Sequence, residues 1–93
     1  MGELLKNKEF ANSIGSIWNY GSITDSNKAL DTGLYVANSG ATENMPTSDT
    51  CLIEVVATGN YAIQKAYALN SNDVYQRRIL KYISKINGWV KIH

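Results

Sequence analysis

From Gly33 onward, apolar and polar residues alternate with a period of two, and short polar clusters break the alternation into segments. This pattern predicts strands with one face turned inward. Leu34–Ala37 (LYVA) is the first. Cys51–Thr58 (CLIEVVAT) is the second, dense in β-branched residues and almost continuously apolar. Such a run suits a central strand covered on both faces, or one whose second face meets another copy of the chain. Gly59-Asn60 predicts a turn. Along Tyr61–Asn70, the residues Tyr61, Ile63, Lys65, Tyr67 and Leu69 point one way. Ala62, Gln64, Ala66, Ala68 and Asn70 point the other. The alanine face lets another layer come close, or leaves a shallow groove. Asn70–Asp73 is turn composition. Val74–Ile83 predicts a fourth strand, although VYQRRILKYI also fits a helix with Val74, Arg78 and Tyr82 on one stripe. Asn87-Gly88 is a hairpin signal and predicts a closing strand, Trp89–Ile92, pinned to the core by a largely buried Trp89.

The pattern before Gly33 is different. Glu3–Ser13 offers a short helix with Leu4, Leu5, Ala11 and Ile14 as a partial stripe and Phe10 beside it. A helix this short is marginal in water and needs a surface to dock on. Gly15–Asn27 reads as extended or irregular, anchored by Ile17, Trp18, Tyr20 and Ile23. Ser26–Asp31 reads as a helical or plain turn. Asn38–Thr50 is a long polar loop around Met45, either a mobile surface loop or a binding loop. The expected fold is all-β or β-rich α+β: a small antiparallel sheet of five strands with a short N-terminal helix or extended segment. The expected division is an N-terminal segment, residues 1–20, and a β-rich domain, residues 21–93.

Composition narrows the function. The 93 residues carry nine Lys plus Arg against eight Asp plus Glu, a formal net charge of +1. That balance supplies no basic field for nucleic acid. Charged residues make up 18% and apolar residues 44%, and Asn, Ser, Thr and Tyr take the place of the missing charge. This composition leans towards an extracellular or virion surface. No apolar run approaches the ~20 residues that span a bilayer, so membrane insertion is not expected.

Candidate chemistry is sparse. Cys51 and His93 are each the lone residue of their kind, so no metal-ligand spacing, disulfide or Ser-His-Asp set is predicted, and no cofactor. Cys51 opens an apolar run and reads as a small buried hydrophobe. Glu54 interrupts the same run, and a cross-strand ion pair with Lys65 would accommodate it. Tyr75 and Arg77 share one face of their strand. With Tyr67 they are the candidate binding residues, a ring-and-guanidinium platform for a sugar or peptide. The alternative is an Arg packed along a neighbouring Tyr.

The order of these segments carries a resemblance. ALDTGLYVANSG, NMPTSDTCLIEVVATGN, AIQKAYAL, DVYQRRI and INGWVKI follow one another as the segments of pyocin knob domains do. Those domains belong to phage tail-fibre, head-fibre and appendage proteins. Gly33-Leu34-Tyr35-Val36 resembles the opening strand, Leu52–Val56 the central strand, and Tyr75-Gln76-Arg77 the fourth. Gly88-Trp89 resembles the closing motif, which usually has two tryptophans; here Trp89 stands alone. Lys28-Ala29-Leu30 stands where an acidic residue usually precedes the leucine. The resemblance covers Gly21–Ile92. It implies a non-enzymatic structural or adhesion domain of a virion appendage, homotrimeric, in contact with other virion proteins and with a host-surface glycan or protein. It also implies that residues 1–20 are stalk-like or a clasp. The long polar loop Asn38–Thr50 and the tyrosines also accommodate a carbohydrate- or protein-binding β-domain outside phages.

Overall fold

The computed structural model describes residues 19–93. The helix expected over Glu3–Ser13 and the anchors Ile17 and Trp18 lie outside the described residues.

Among the described residues, seven strands form one sheet: β1 Asn19–Ile23, β2 Gly33–Ala37, β3 Cys51–Ala57, β4 Tyr61–Ala68, β5 Val74–Leu80, β6 Lys85–Ile86 and β7 Val90–Lys91. The order is sequential from β1 to β5, and β6 and β7 both lie along the outer edge of β5. β2 to β5 form the expected antiparallel meander. β1 is parallel to β2, so the chain between them must cross over the sheet before it can re-enter in the same direction. Residues 24–32 make that crossing, with a single 3-10 turn at Ser26–Lys28.

The crossing decides which face is the core. On β4, Ala62, Gln64, Ala66 and Ala68 are buried, and the residues between them are not. The register continues this face through Tyr35, Ile53 and Val55 on one side and Ile79 on the other. Ala29 of the crossing, wholly buried, joins them. Of the two roles open to the small residues of β4, they fill the first: they let the crossing backbone come down onto the sheet. Met45 and Trp89 pack at the margin of the same core.

The polar loop 38–50 is tied to the crossing rather than free. Thr42 Oγ1 donates to the Ile23 carbonyl at 2.6 Å, the Glu43 amide to the Thr24 carbonyl at 2.9 Å, and the Ser26 amide to the Glu43 carbonyl at 3.1 Å. Together the loop and the crossing are the second layer of the domain.

Two expectations are corrected at the C-terminal end. β5 stops at Leu80, because a 3-10 turn at Lys81–Ile83 ends in Ser84 with φ 53° and reverses the chain there. The chain then runs back along β5 through both β6 and β7, and Asn87-Gly88 is a break within that return rather than a hairpin turn. Gly88 is not among the positive-φ residues, whereas a type I′ hairpin needs positive φ at both central positions. Likewise Gly59 and Asn60 turn without positive φ. Thr58 holds that turn by accepting the amides of Asn60 and Tyr61 on its Oγ1, at 3.3 and 3.2 Å.

Candidate functional site

Two polar residues occupy inward positions where the strand period calls for apolar ones. Gln64 on β4 is fully buried, and Arg77, its register partner on β5, is 6% exposed. A buried guanidinium must fill its donors or carry a large desolvation cost. Here Nε donates to Gln64 Oε1 at 2.7 Å. Nη2 donates to Ser26 Oγ and Asn27 Oδ1, both at 2.9 Å. The guanidinium carbon lies 4.4 Å from the centroid of the Trp89 ring, a cation–π stack.

The set extends outward through neutral bonds to a carboxylate at its rim. Gln64 Nε2 donates to the carbonyls of Ser26 and Ala29, each at 2.8 Å. Ser26 Oγ donates to the Asn44 carbonyl at 2.7 Å, and Trp89 Nε1 donates to that same oxygen at 2.8 Å. Asn44 sits at φ 64°, a left-handed conformation that asparagine tolerates better than most residues. Its side chain donates to Asp25 Oδ1 at 2.8 Å.

Burial lowers the Arg77 guanidinium to about 10, with the Asp25 charge opposing the shift; it is charged at neutral pH. The Asp25 carboxyl is held below its usual value by the Asn44 side chain and the Asn27 amide, and further by Lys28 and Arg77. These groups form a clamp. Arg77 joins the sheet to the crossing, Trp89 and Asn44 join both to the polar loop, and the acceptors recorded for the guanidinium are the Gln64 and Asn27 carboxamides and the Ser26 hydroxyl.

Tyr75 and Arg77 do share a face, as expected, but it is the covered one. Tyr67 lies on the opposite face, where its hydroxyl donates to Glu54 Oε1 at 2.7 Å. The three residues therefore do not form one patch. Glu54 and Lys65 are register partners, as the expected ion pair requires. Among the described residues, however, Glu54 is satisfied by the Tyr67 hydroxyl and not by an ion pair with Lys65. Trp89 packs against the core from its margin without being fully buried: its ring covers the guanidinium, and its Nε1 reaches the loop.

Among the described residues, no second layer covers the face opposite the core. Leu34 and Val36 of β2, Leu52, Glu54 and Val56 of β3, Ile63, Lys65 and Tyr67 of β4, and Gln76 and Arg78 of β5 point into it. Leu52 is 39% exposed and Val56 59%. Glu54, Val56, Ile63, Lys65 and Gln76 line a shallow depression of about 320 Å³.

Among the described residues, no group of His, Cys, Asp or Glu is placed to hold a metal ion, and no helix is long and apolar enough to cross a membrane. Cys51 is fully buried and burial pushes its thiol up, away from the thiolate form that reacts.

No protein-family model matches the sequence, and no curated protein matches it. A solved structure of an N-truncated R2-type pyocin tail fibre is similar to the chain, with a TM-score of 0.69 over 80% of this chain and 16% sequence identity. The chain spans 32% of the tail-fibre chain it matches. At that identity the likeness is one of fold: this is a small, mostly antiparallel β domain of the kind found in a pyocin tail fibre.

Proposed function

We propose that the chain is a non-enzymatic structural or adhesion domain of a phage fibre or virion appendage. It acts in fibre assembly or in attachment to a host-surface glycan or protein. The observation that carries this reading is the fold likeness to the pyocin tail fibre over four-fifths of the chain. The polar cluster around Arg77 supports it, because every bond recorded from the guanidinium goes to a neutral acceptor of the protein's own scaffold. A group engaged in that way fixes geometry; it does not move protons.

In this reading the domain works on the outside of a particle, next to other virion proteins, as a homotrimer. Closed symmetry is the usual form of soluble assemblies, and the resemblance to fibre proteins selects three subunits rather than two. Sedimentation equilibrium of the full chain tests this. The expected mass is that of three 10.3 kDa chains. A stable two-chain mass counts against the fibre reading.

A further inference from the structure

We infer that Asn87 is a site of spontaneous deamidation, and that its isoaspartyl product uncouples Trp89 from the Arg77 clamp. Neither step depends on the virion reading. The reaction needs an asparagine carboxamide within reach of the next main-chain nitrogen, and a next residue that does not crowd it. Asn87-Gly88 is the one Asn-Gly pair in the sequence, and glycine has no Cβ to obstruct its own amide.

The fold leaves this pair unguarded. It occupies the break between β6 and β7, so neither residue belongs to a strand. The Asn87 amide donates to the Arg78 carbonyl at 3.1 Å, which fixes the pair on one side only. Among the described residues, the Asn87 carboxamide and the Gly88 amide make no hydrogen bond. Other asparagines are held. The carboxamides of Asn19, Asn27, Asn38, Asn44 and Asn70 are all bonded. Asn60 and Asn72 are guarded through the amides that follow them: the Tyr61 amide donates to Thr58 Oγ1 at 3.2 Å, and the Asp73 amide to Ser71 Oγ at 3.3 Å. A depression of about 190 Å³ beside Asn87 and Gly88 admits water.

The chemistry balances with water and hydroxide. Hydroxide removes the proton of the Gly88 amide, and its nitrogen attacks Asn87 Cγ. A succinimide ring forms as the carboxamide C–N bond breaks, and the departing nitrogen takes up a proton and leaves as ammonia. Water then opens the ring. Opening at Cγ gives aspartate. Opening at the main-chain carbonyl gives isoaspartate, in which the backbone runs through the former side chain and is one methylene longer. Either product carries a new carboxylate, so the formal net charge falls from +1 to zero.

The two products differ in effect. The Asn87 carboxamide holds nothing among the described residues, so aspartate leaves the packing as it was. Isoaspartate adds its methylene between β6, in register on Ile79 and Leu80, and Trp89. The Trp89 ring lies 4.4 Å from the guanidinium, and its Nε1 lies 2.8 Å from the Asn44 carbonyl. The added length moves the side chain off these partners.

The test is to age the folded full chain at mildly alkaline pH and map the products by tandem mass spectrometry that separates aspartyl from isoaspartyl fragments. Asn87 should lose its amide at a rate close to that of the synthetic peptide SKINGWVKI, and ahead of every other asparagine of the described residues. The isoaspartyl fraction, isolated by ion exchange, should show a lower urea midpoint and altered tryptophan fluorescence. Gly88→Ala adds a methyl that meets no atom within 4 Å, at a residue without positive φ. It should keep the circular dichroism spectrum and slow the loss by roughly tenfold or more. Asn87→Gln is the second variant, should Gly88→Ala lose its spectrum; its longer side chain closes the ring poorly, so the position should stay intact. A folded chain that reacts at Asn87 more than roughly tenfold slower than the peptide, as a protecting fold would give, overturns the site. Faster loss at Asn60 or Asn72, or a folded variant that reacts as the wild type does, overturns it too. An isoaspartyl fraction that melts and fluoresces like the unmodified chain overturns the uncoupling.

Discussion

Replacing Arg77 by Met removes the charge and the donors of the clamp while keeping most of the side chain's length. Three hydrogen bonds from the guanidinium are lost, each worth roughly 1.5–3 kcal/mol when the donor is charged. The stack on Trp89 adds about 1 kcal/mol. Against this, the wild type carries a desolvation penalty of several kcal/mol for its buried cation, and the variant does not. The acceptors left behind then decide the outcome. Ser26 Oγ keeps its bond to the Asn44 carbonyl, and Asn27 is half-buried and can turn to water. Gln64 Oε1 is fully buried and orphaned, which costs about 1–3 kcal/mol. The net expectation is a loss of about 3 kcal/mol, or roughly 12–24 °C in Tm for a domain of this size. Urea melts followed by tryptophan fluorescence read it directly. Arg77→Met combined with Gln64→Met removes the orphan as well, and should be about 1–2 kcal/mol less destabilised than the sum of the single variants. A loss below about 1 kcal/mol for Arg77→Met, or strict additivity in the pair, would refute the clamp.

Three further outcomes follow from the same packing. Trp89→Phe keeps a ring over the guanidinium but loses the donor to the Asn44 carbonyl, and should cost about 1 kcal/mol; Trp89→Ala also strips cover from Arg77 and should cost at least twice as much in the same melts. Ala66→Leu forces a large side chain between β4 and the second layer, and should cost about 1–3 kcal/mol by overpacking, read as a lowered urea midpoint. The Tyr35 phenol is raised above its ordinary value by burial; the unfolded chain therefore loses this proton first, near pH 10, and stability falls as pH rises through that point. Tyr35→Phe should flatten the alkaline limb of a stability–pH profile while lowering stability at neutral pH through loss of the bond to the Asp31 carbonyl.

How much of this could be read from sequence depends on where each signal lies. β3 and β4 are legible because their period, their β-branched content and the turns that bracket them all agree. β1 is harder to read. It pairs in parallel with β2, shifts register between Asn19 and Gly21, and carries Gly21 at φ 73°, none of which leaves an alternating pattern. The C-terminal return was misread because Asn-Gly is the stronger local turn signal, whereas the reversal is made at Ser84, which nothing in the sequence marks as left-handed. The clamp was missed for a different reason. Arg is mostly a surface residue, so the sequence places Arg77 on a platform rather than in the core. The usable signal was Gln64, a polar residue amid inward alanines, facing Arg77 one strand away. The face opposite the core is half legible: the continuous apolarity of CLIEVVA asks for cover on both sides, but only the register shows that, among the described residues, Leu52 and Val56 are the side chains on the exposed side.

The central claim is that this domain belongs to the outside of a virion. The most direct test is immunogold labelling of intact phage particles with antibodies raised against the full chain. The account predicts gold on fibres or appendages, in register from particle to particle. Unlabelled particles, with the protein found only in the soluble fraction of the lysate, would contradict it.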